Sequence, residues 1–368
     1  MDPVRLALDV GPLYGHRTGV GAAVAGLTAS LANDPGVEVH PYLLSFRTRP
    51  EPPARRLPLP AALAHRLWAH WDRPRVDRWL APARIVHGTN YVVPPSRLPR
   101  LVSVYDCWFL ANPGEASPAV RRAGAILRRA TANGAWVHAS SAATADRVRE
   151  LLGTERVAVV HLGPLPVPTE GELPASAAWA RSLDGRPFVL SLGTIERRKN
   201  LPALVEAFGL AASRLDGAVL VLAGAPGDDT AALDDVRGAL SPGLRDDVVV
   251  PGPVDGATKS WLLHHAAVVA YPSLDEGFGF PILEAQGADK PVVATSAGSI
   301  PEVAGDGAEL VPLGDRDALA AALVRVLGDD ERRRELVSAG RANLARFSWT
   351  ATAVGLIRLY HRLGNEAS

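Results

Sequence analysis

The densest chemistry in this sequence lies between residues 271 and 305, YPSLDEGFGFPILEAQGADKPVVATSAGSIPEVAG. An apolar run ends at Tyr271, a glycine loop EGFGF follows, and a helix is expected from about Pro281, so that loop amides and a helix N-terminus face one ligand space. Amides presented in this way bind phosphate. Glu276 in the loop and Glu284 in the expected first helical turn add carboxylates able to accept hydrogen bonds from sugar hydroxyls. On an isolated helix Glu284 would read equally as a complement to the helix dipole, and Gly277 and Gly279 as a plain turn around Phe278. The conjunction is what points to a ligand.

A second cluster, SLGTIERRKNLPALVEAF, occupies residues 191–208. A strand is expected to end at Gly193 and a helix to begin after Asn200, which leaves Arg197, Arg198 and Lys199 in the connection. Cations at the carboxyl end of a parallel strand are placed to neutralise a diphosphate leaving group, although the same run alone would read as solvated charge. His87 in HGTNYVVPP and His16 in GHRTGVG fall at similar strand ends. With no carboxylate partner readable beside either, a satisfied loop or core histidine is the favoured reading, and His264 and His265 read as structural. No group of His, Asp and Glu has metal-ligand spacing, so no essential metal and no cofactor is expected.

These residues need a scaffold, and the sequence alternates in a way that supplies one. VRLALDV, VEVHPYLLS, RIVHG, RLVSVYD, AWVHASS and RVAVVHLG are strand-like, with helix-like stretches at 61–80, 118–133 and 142–152 between them. The pattern breaks into a Pro-, Gly- and Ser-rich stretch at 163–187 and then restarts with PFVLSLGT, AVLVLAG, DVVVPG, VVAYPS and PVVAT among helical segments. The expectation is an α/β protein of two doubly wound, Rossmann-like domains, 1–170 and 171–345, facing a central cleft. A terminal helix in 346–368 is free by pattern to pack back on the first domain.

Residues 191–208 and 271–305, in this order, resemble the nucleotide-sugar half of glycosyltransferase family 4, whose members are retaining enzymes of the GT-B fold. LALDVGPL…TGVGAAVAGL is similar to the family's opening strand and glycine loop, RLVSVYDCWFLANPGEA to its acceptor-side strand, and GTIERRKN to a variant found in a mannosyltransferase-like subset. The resemblance implies that Lys199 and Arg198 hold the donor diphosphate and that Glu276 contacts the transferred sugar. It further implies that the amides of Phe278 and Gly279 meet sugar and phosphates, that Glu284 binds the ribose, and that the main chain at Val254 meets the nucleobase. Gly19 and Gly21 fall where the N-terminal loop approaches the donor phosphate. Two departures stand out. Gly193 is followed by Thr194 where many relatives carry arginine, and the acceptor-side strand ends in Tyr105–Asp106 where His-Asp is usual, so Tyr105 can donate a hydrogen bond but cannot become cationic.

Composition bounds the remaining possibilities. At 368 residues the chain is long enough for two full cores. Its 39 Lys+Arg balance 39 Asp+Glu, so no global field draws it to nucleic acid. The first 170 residues nevertheless carry a charge of about +7 and the rest about −7. The single cysteine, Cys107, excludes an internal disulfide framework, and no run reaches the roughly 18 apolar residues of a spanning helix; together these lead to a cytoplasmic expectation. Residues 54–80 combine Trp68, Trp71 and Trp79 with six arginines, and 121–129 add RRAGAILRR. Either this is a basic, aromatic face for peripheral membrane contact through the N-terminal domain, or the tryptophans pack on the sheet with the arginines in water.

The activity the resemblance implies is transfer of a hexose, foremost mannose from GDP-mannose with UDP-sugars as the other donors, to a hydroxyl of a glycan, lipid-linked or small-molecule acceptor. A GT-B nucleotide-sugar 2-epimerase and a non-catalytic nucleotide-sugar-binding subunit are the rival readings.

Overall fold

The computed structural model describes residues 3–14, 19–45, 48–167, 169–171, 173, 177–183 and 185–366. The chain forms two compact units, one made of Met1–Gly163 with Phe347–Ser368 and the other of Pro164–Arg346.

The first unit holds a parallel sheet of β1 (Val4–Asp9), β2 (Val37–Leu43), β3 (Arg55–Arg56), β4 (Ile85–Gly88), β5 (Arg100–Val104), β6 (Trp136–Ala139) and β7 (Val157–Val159), in the order β3-β2-β1-β4-β5-β6-β7. β4, β5 and β6 are buried along their whole length, so their apolar residues do not alternate with exposed ones and even their polar members, His87, Arg100, Ser103 and His138, are buried. Helices cover both faces. On one side Trp68, Leu80, Ile126 and Leu127 pack against Val86, Val102 and Val137. On the other, Leu27 and Leu31 of the helix Gly19–Ala32 meet Leu356, Leu359 and Tyr360 of the terminal helix Trp349–Glu366. That terminal helix is therefore part of the first unit's core.

Local chemistry fixes the helix ends. Ser117 and Ser141 accept the amides of Val120 and Thr144 and cap the helices Pro118–Ala132 and Ala142–Leu152. The expected helix over 61–80 is instead two, Ala61–Trp71 and Asp77–Leu80. Asp72 takes the left-handed conformation and Pro74 follows, so the first helix stops before the apolar spacing does.

The second unit holds β8 (Phe188–Leu192), β9 (Val219–Ala223), β10 (Val248–Gly252), β11 (Val268–Tyr271), β12 (Val292–Thr295) and β13 (Glu309–Val311), all parallel, in the order β10-β9-β8-β11-β12-β13. Strand order reverses at β8 and β11, the pair whose carboxyl ends carry the two motifs singled out above. Open α/β sheets bind ligands at such a switch point.

Candidate active site

Glu276 is the centre of the arrangement at the end of β11. Its Oε1 accepts Lys199 Nζ at 2.6 Å, Arg198 Nη1 at 2.7 Å and Ser273 Oγ at 3.0 Å. Burial alone would raise its pKa, but the charges of Lys199 and Arg198 outweigh that and draw the carboxyl down to about 2. Lys199 is lowered by burial against the pull of Glu276. Its ammonium also donates to the Tyr271 hydroxyl at 2.8 Å.

The backbone explains why these groups converge. Arg197–Lys199 form a single 3-10 turn after β8, closed by Asn200 in the left-handed conformation, so Arg198 and Lys199 turn inward while Arg197 stays exposed. The Leu274 amide donates to the Arg198 carbonyl at 2.8 Å and Asn200 Nδ2 to the Pro272 carbonyl at 3.3 Å, tying the turn to the Glu276 loop. Gly193, where β8 gives way to that turn, lies beside the Lys199 stem.

The loop runs through Gly277 and Phe278 to Gly279, whose φ of +94° a side chain would strain, and the helix Phe280–Gly287 starts directly after it with no side chain capping it. Phe278 is buried edge-to-face on Phe280 at 5.2 Å. From behind, the Ser299 amide donates to the Glu276 carbonyl at 2.8 Å, and a Cβ on Gly298 would stand 2.4 Å from that same oxygen.

Glu284 is the fifth residue of the helix rather than a member of its first turn, so the dipole alternative weighed from sequence does not apply. Its carboxylate is buried and paired with Lys259 from the helix Gly256–His265. Val254 lies just before that helix, half-buried against the core, and Asp255 Oδ1 caps the helix through the Thr258 amide at 2.8 Å.

Other sequence candidates lie in the first unit. Gly19 opens the helix Gly19–Ala32 with open space around its Cα, and Gly21 is buried in it. His16 lies outside the described residues. Tyr105 follows β5 with its ring edge-on to Tyr91 at 5.9 Å and its hydroxyl buried, while Tyr91 donates to Asp106 Oδ2 at 2.9 Å. His87 is a core residue: its ring bonds the Tyr360 hydroxyl and the Ser103 hydroxyl, each at 2.8 Å, and Ser103 in turn meets His138 at 2.9 Å. Among the described residues no three His, Cys, Asp or Glu side chains are grouped to hold a metal ion, and no helix is long and apolar enough to cross a membrane.

Residues 186–329, which contain every second-unit residue just described, match the family model of glycosyl transferases group 1. Most of the second unit thus matches the glycosyl transferases group 1 model. The O-antigen chain mannosyltransferase B of Escherichia coli is 34% identical over 179 residues, 48% of this chain and 46% of that protein. The phosphatidyl-myo-inositol mannosyltransferase of Mycolicibacterium smegmatis is 34% identical over 194 residues, 50% of this chain and 49% of that one. The chain thus spans about half the length of the curated relatives it matches. A likeness of fold extends over both units: sucrose-phosphate synthase from Thermosynechococcus elongatus superposes with a TM-score of 0.72 at 21% identity, covering 99% of this chain and 100% of that one. The architecture is that of the GT-B glycosyltransferases, two Rossmann-like domains.

In the second unit the sequence singled out Glu276, Arg198, Lys199 and Glu284; the structure sets Ser273, Tyr271 and Lys259 against them, partners that the sequence did not name as such. Ser273 and Tyr271 were readable as polar residues three and five positions before Glu276. Lys259 had only its place in the first turn of a helix to mark it.

Proposed function

We propose that this protein transfers a hexose from a nucleotide-diphosphate sugar to a hydroxyl acceptor with retention of configuration, mannose from GDP-mannose being the favoured donor. The observation that carries the reading is the convergence of Lys199 and Arg198 on Glu276 beside an uncapped helix N-terminus. Two cations and oriented amides match a diphosphate, and a buried carboxylate held ionised between them matches a sugar hydroxyl. The relatives named as mannosyltransferases support mannose over other hexoses.

In the proposed reaction the anomeric carbon–oxygen bond to the diphosphate breaks as the acceptor oxygen bonds to the same face. The acceptor proton passes to the departing phosphate oxygen. Lys199 and Arg198 stabilise the charge growing on the leaving group, so no essential metal is invoked. Glu276 orients the sugar, and Glu284, held by Lys259, receives the ribose hydroxyls.

The cytoplasm is the proposed location, supported by the single buried cysteine. Peripheral membrane contact is proposed through the helix Ala61–Trp71, where Trp71 is 65% and Leu63 52% exposed, together with the exposed Arg129, whose Nε donates to the Ala69 carbonyl. Trp68, by contrast, is a core residue.

Calorimetry with GDP and UDP, followed by NMR of the anomeric signal during turnover of GDP-mannose, tests the reading. Binding of GDP and an α-configured product are expected. Failure to bind either nucleotide overturns it, and tighter binding of UDP moves the donor away from GDP-mannose.

A further inference from the structure

The chain enters the second unit at Pro164 and then lies across two helices of the site above. Val167 packs on the core that Leu262 and Leu263 of the helix Gly256–His265 share with Ile282 and Ala285 of the helix Phe280–Gly287. Its side chain stands where a Cβ on Gly287 would be only 3.0 Å away. The Ser260 hydroxyl, on the other helix and 1% exposed, donates to the Thr169 carbonyl at 2.9 Å. Gly171 passes so close to that helix that a Cβ on it would collide with the Ala257 carbonyl oxygen, a main-chain atom that cannot swing aside. Glu170 adds an ion pair with His265 at 3.2 Å, but both side chains are exposed and such pairs contribute little.

These contacts flank the joint at which Lys259 meets Glu284. Ala257 and Ser260 are three residues apart and share one side of their helix, whereas Lys259 is turned about 100° from Ser260 and pairs with Glu284. Gly287 lies three residues beyond Glu284, about one turn along the same helix. The segment thus backs both helices at points beside the ion pair. A carboxylate that is only 7% exposed tolerates little displacement of its cation, because the attraction falls with separation while the cost of burial remains. What fixes the spacing of the two helices therefore fixes where Glu284 points.

We propose that Val167, Thr169 and Gly171 are positioning residues for the donor: they clamp the two helices at the spacing that keeps Glu284 on Lys259 and turned to the ribose hydroxyls. The ribose rests on the transferase proposal; the clamp on the Lys259–Glu284 pair rests on the contacts alone.

Calorimetry of the full-length protein with GDP and 2′,3′-dideoxy-GDP reads the ribose contact as a ratio of affinities, and UDP with its dideoxy analogue serves if the parent prefers UDP. The parent is expected to favour GDP roughly 10- to 100-fold, the scale of a hydrogen bond to a charged group. Gly171→Ala and Ser260→Ala are each expected to cut that preference about fivefold while leaving dideoxy-GDP binding unchanged. A segment that only packs would shift both nucleotides alike or neither; that result, or a parent that binds GDP without preferring it, overturns the proposal. Glu170→Gln is the control, expected to match the parent, and a loss there equal to the others also overturns it. Should Gly171→Ala not fold, Val167→Ala gives the same reading. A nucleotide-free arm keeps the two proposals apart. The stability coupling between Lys259→Met and Glu284→Gln, taken from a double-mutant cycle, is expected to fall by about half when Gly171→Ala is present. Reduced coupling with no binding of GDP or UDP leaves the clamp standing and removes the transferase reading, and nucleotide binding with coupling and preference unchanged does the reverse.

Discussion

Lys199 and Glu276 neutralise each other, Nζ to Oε1 at 2.6 Å, with the side chains only 14% and 7% exposed. A diphosphate that recruits Lys199 must therefore draw it from an existing partner, which Arg198 still satisfies. Lys199→Ala is expected to weaken GDP binding roughly 10- to 100-fold, the scale of a lost charge-assisted hydrogen bond. It is also expected to lower the melting temperature, because a buried carboxylate loses one of two cations. Calorimetry and thermal melting of the same preparation check both, and unchanged GDP affinity would remove Lys199 from the donor site.

Glu276 and Glu284 should separate kinetically. Glu276→Gln keeps the shape but weakens its hold on the Lys199 and Arg198 pair, and turnover is expected to fall with a modest change in KM. Glu284→Gln acts on ribose binding and is expected to raise the donor KM at nearly constant kcat. Steady-state kinetics with GDP-mannose, with folded fraction measured in parallel, decides. Equal losses that track stability would make both residues structural.

Lys259 supplies a control on that pair. Lys259→Met leaves the buried Glu284 carboxylate without its cation, so a double-mutant cycle with Glu284→Gln is expected to give a coupling of about 1–3 kcal/mol in stability. Additive effects would show that the pair contributes nothing to folding.

Trp71 stands on the exposed side of its helix with the Arg73 side chain in water close by. Trp71→Ser is expected to reduce sedimentation with vesicles of anionic lipid several-fold and to leave melting within about 0.5 kcal/mol of the parent, as for a surface change. Retention equal to the parent would exclude this face from membrane contact.

The buried histidines fix a pH dependence. Burial holds His138 down at about 4 and His87 well below its ordinary value, so both stay neutral in the fold. Between pH about 6.5 and 4 the unfolded chain binds more protons at these two sites, and stability falls as pH falls, by on the order of 3 kcal/mol for His138. Asp9 acts oppositely. Its carboxyl, raised to about 6, takes up a proton in the folded state first and so offsets part of the loss on acidification. Asp9→Asn is expected to steepen the decline of melting temperature from pH 6.5 to 4. An identical slope in the variant would refute the assignment of Asp9.

The strands and the Glu276 loop were legible because strands buried on both faces are predominantly apolar and because EGFGFPILE joins a strand end to a helix start. The break at Trp71 was not, since apolar spacing continues to Leu80 and only Asp72 and Pro74 interrupt it. Glu284 looked like a first-turn residue because Pro281 suggested a later helix start than Phe280, and a shift of one residue changes which groups the dipole reaches. His87 is the satisfied core histidine that the sequence favoured, but its partner, the Tyr360 hydroxyl, lies 273 positions away in sequence and could not be named from it. Such pairings have no local signature. The same holds for Lys259 and Glu284, which separate helices bring together.

The helix Trp349–Glu366 contributes Leu356, Leu359 and Tyr360 to the core that Leu6, Leu8 and Leu27 begin. During synthesis those strands leave the ribosome before their covering helix, which is made only after the whole of Pro164–Arg346. The contiguous second unit can complete its fold while the first still waits for a lid of its own sequence, an inversion of the usual order in which domains mature. For anyone cutting the gene, deleting the codons for Trp349–Glu366 would strip strands encoded more than 180 codons earlier of their cover.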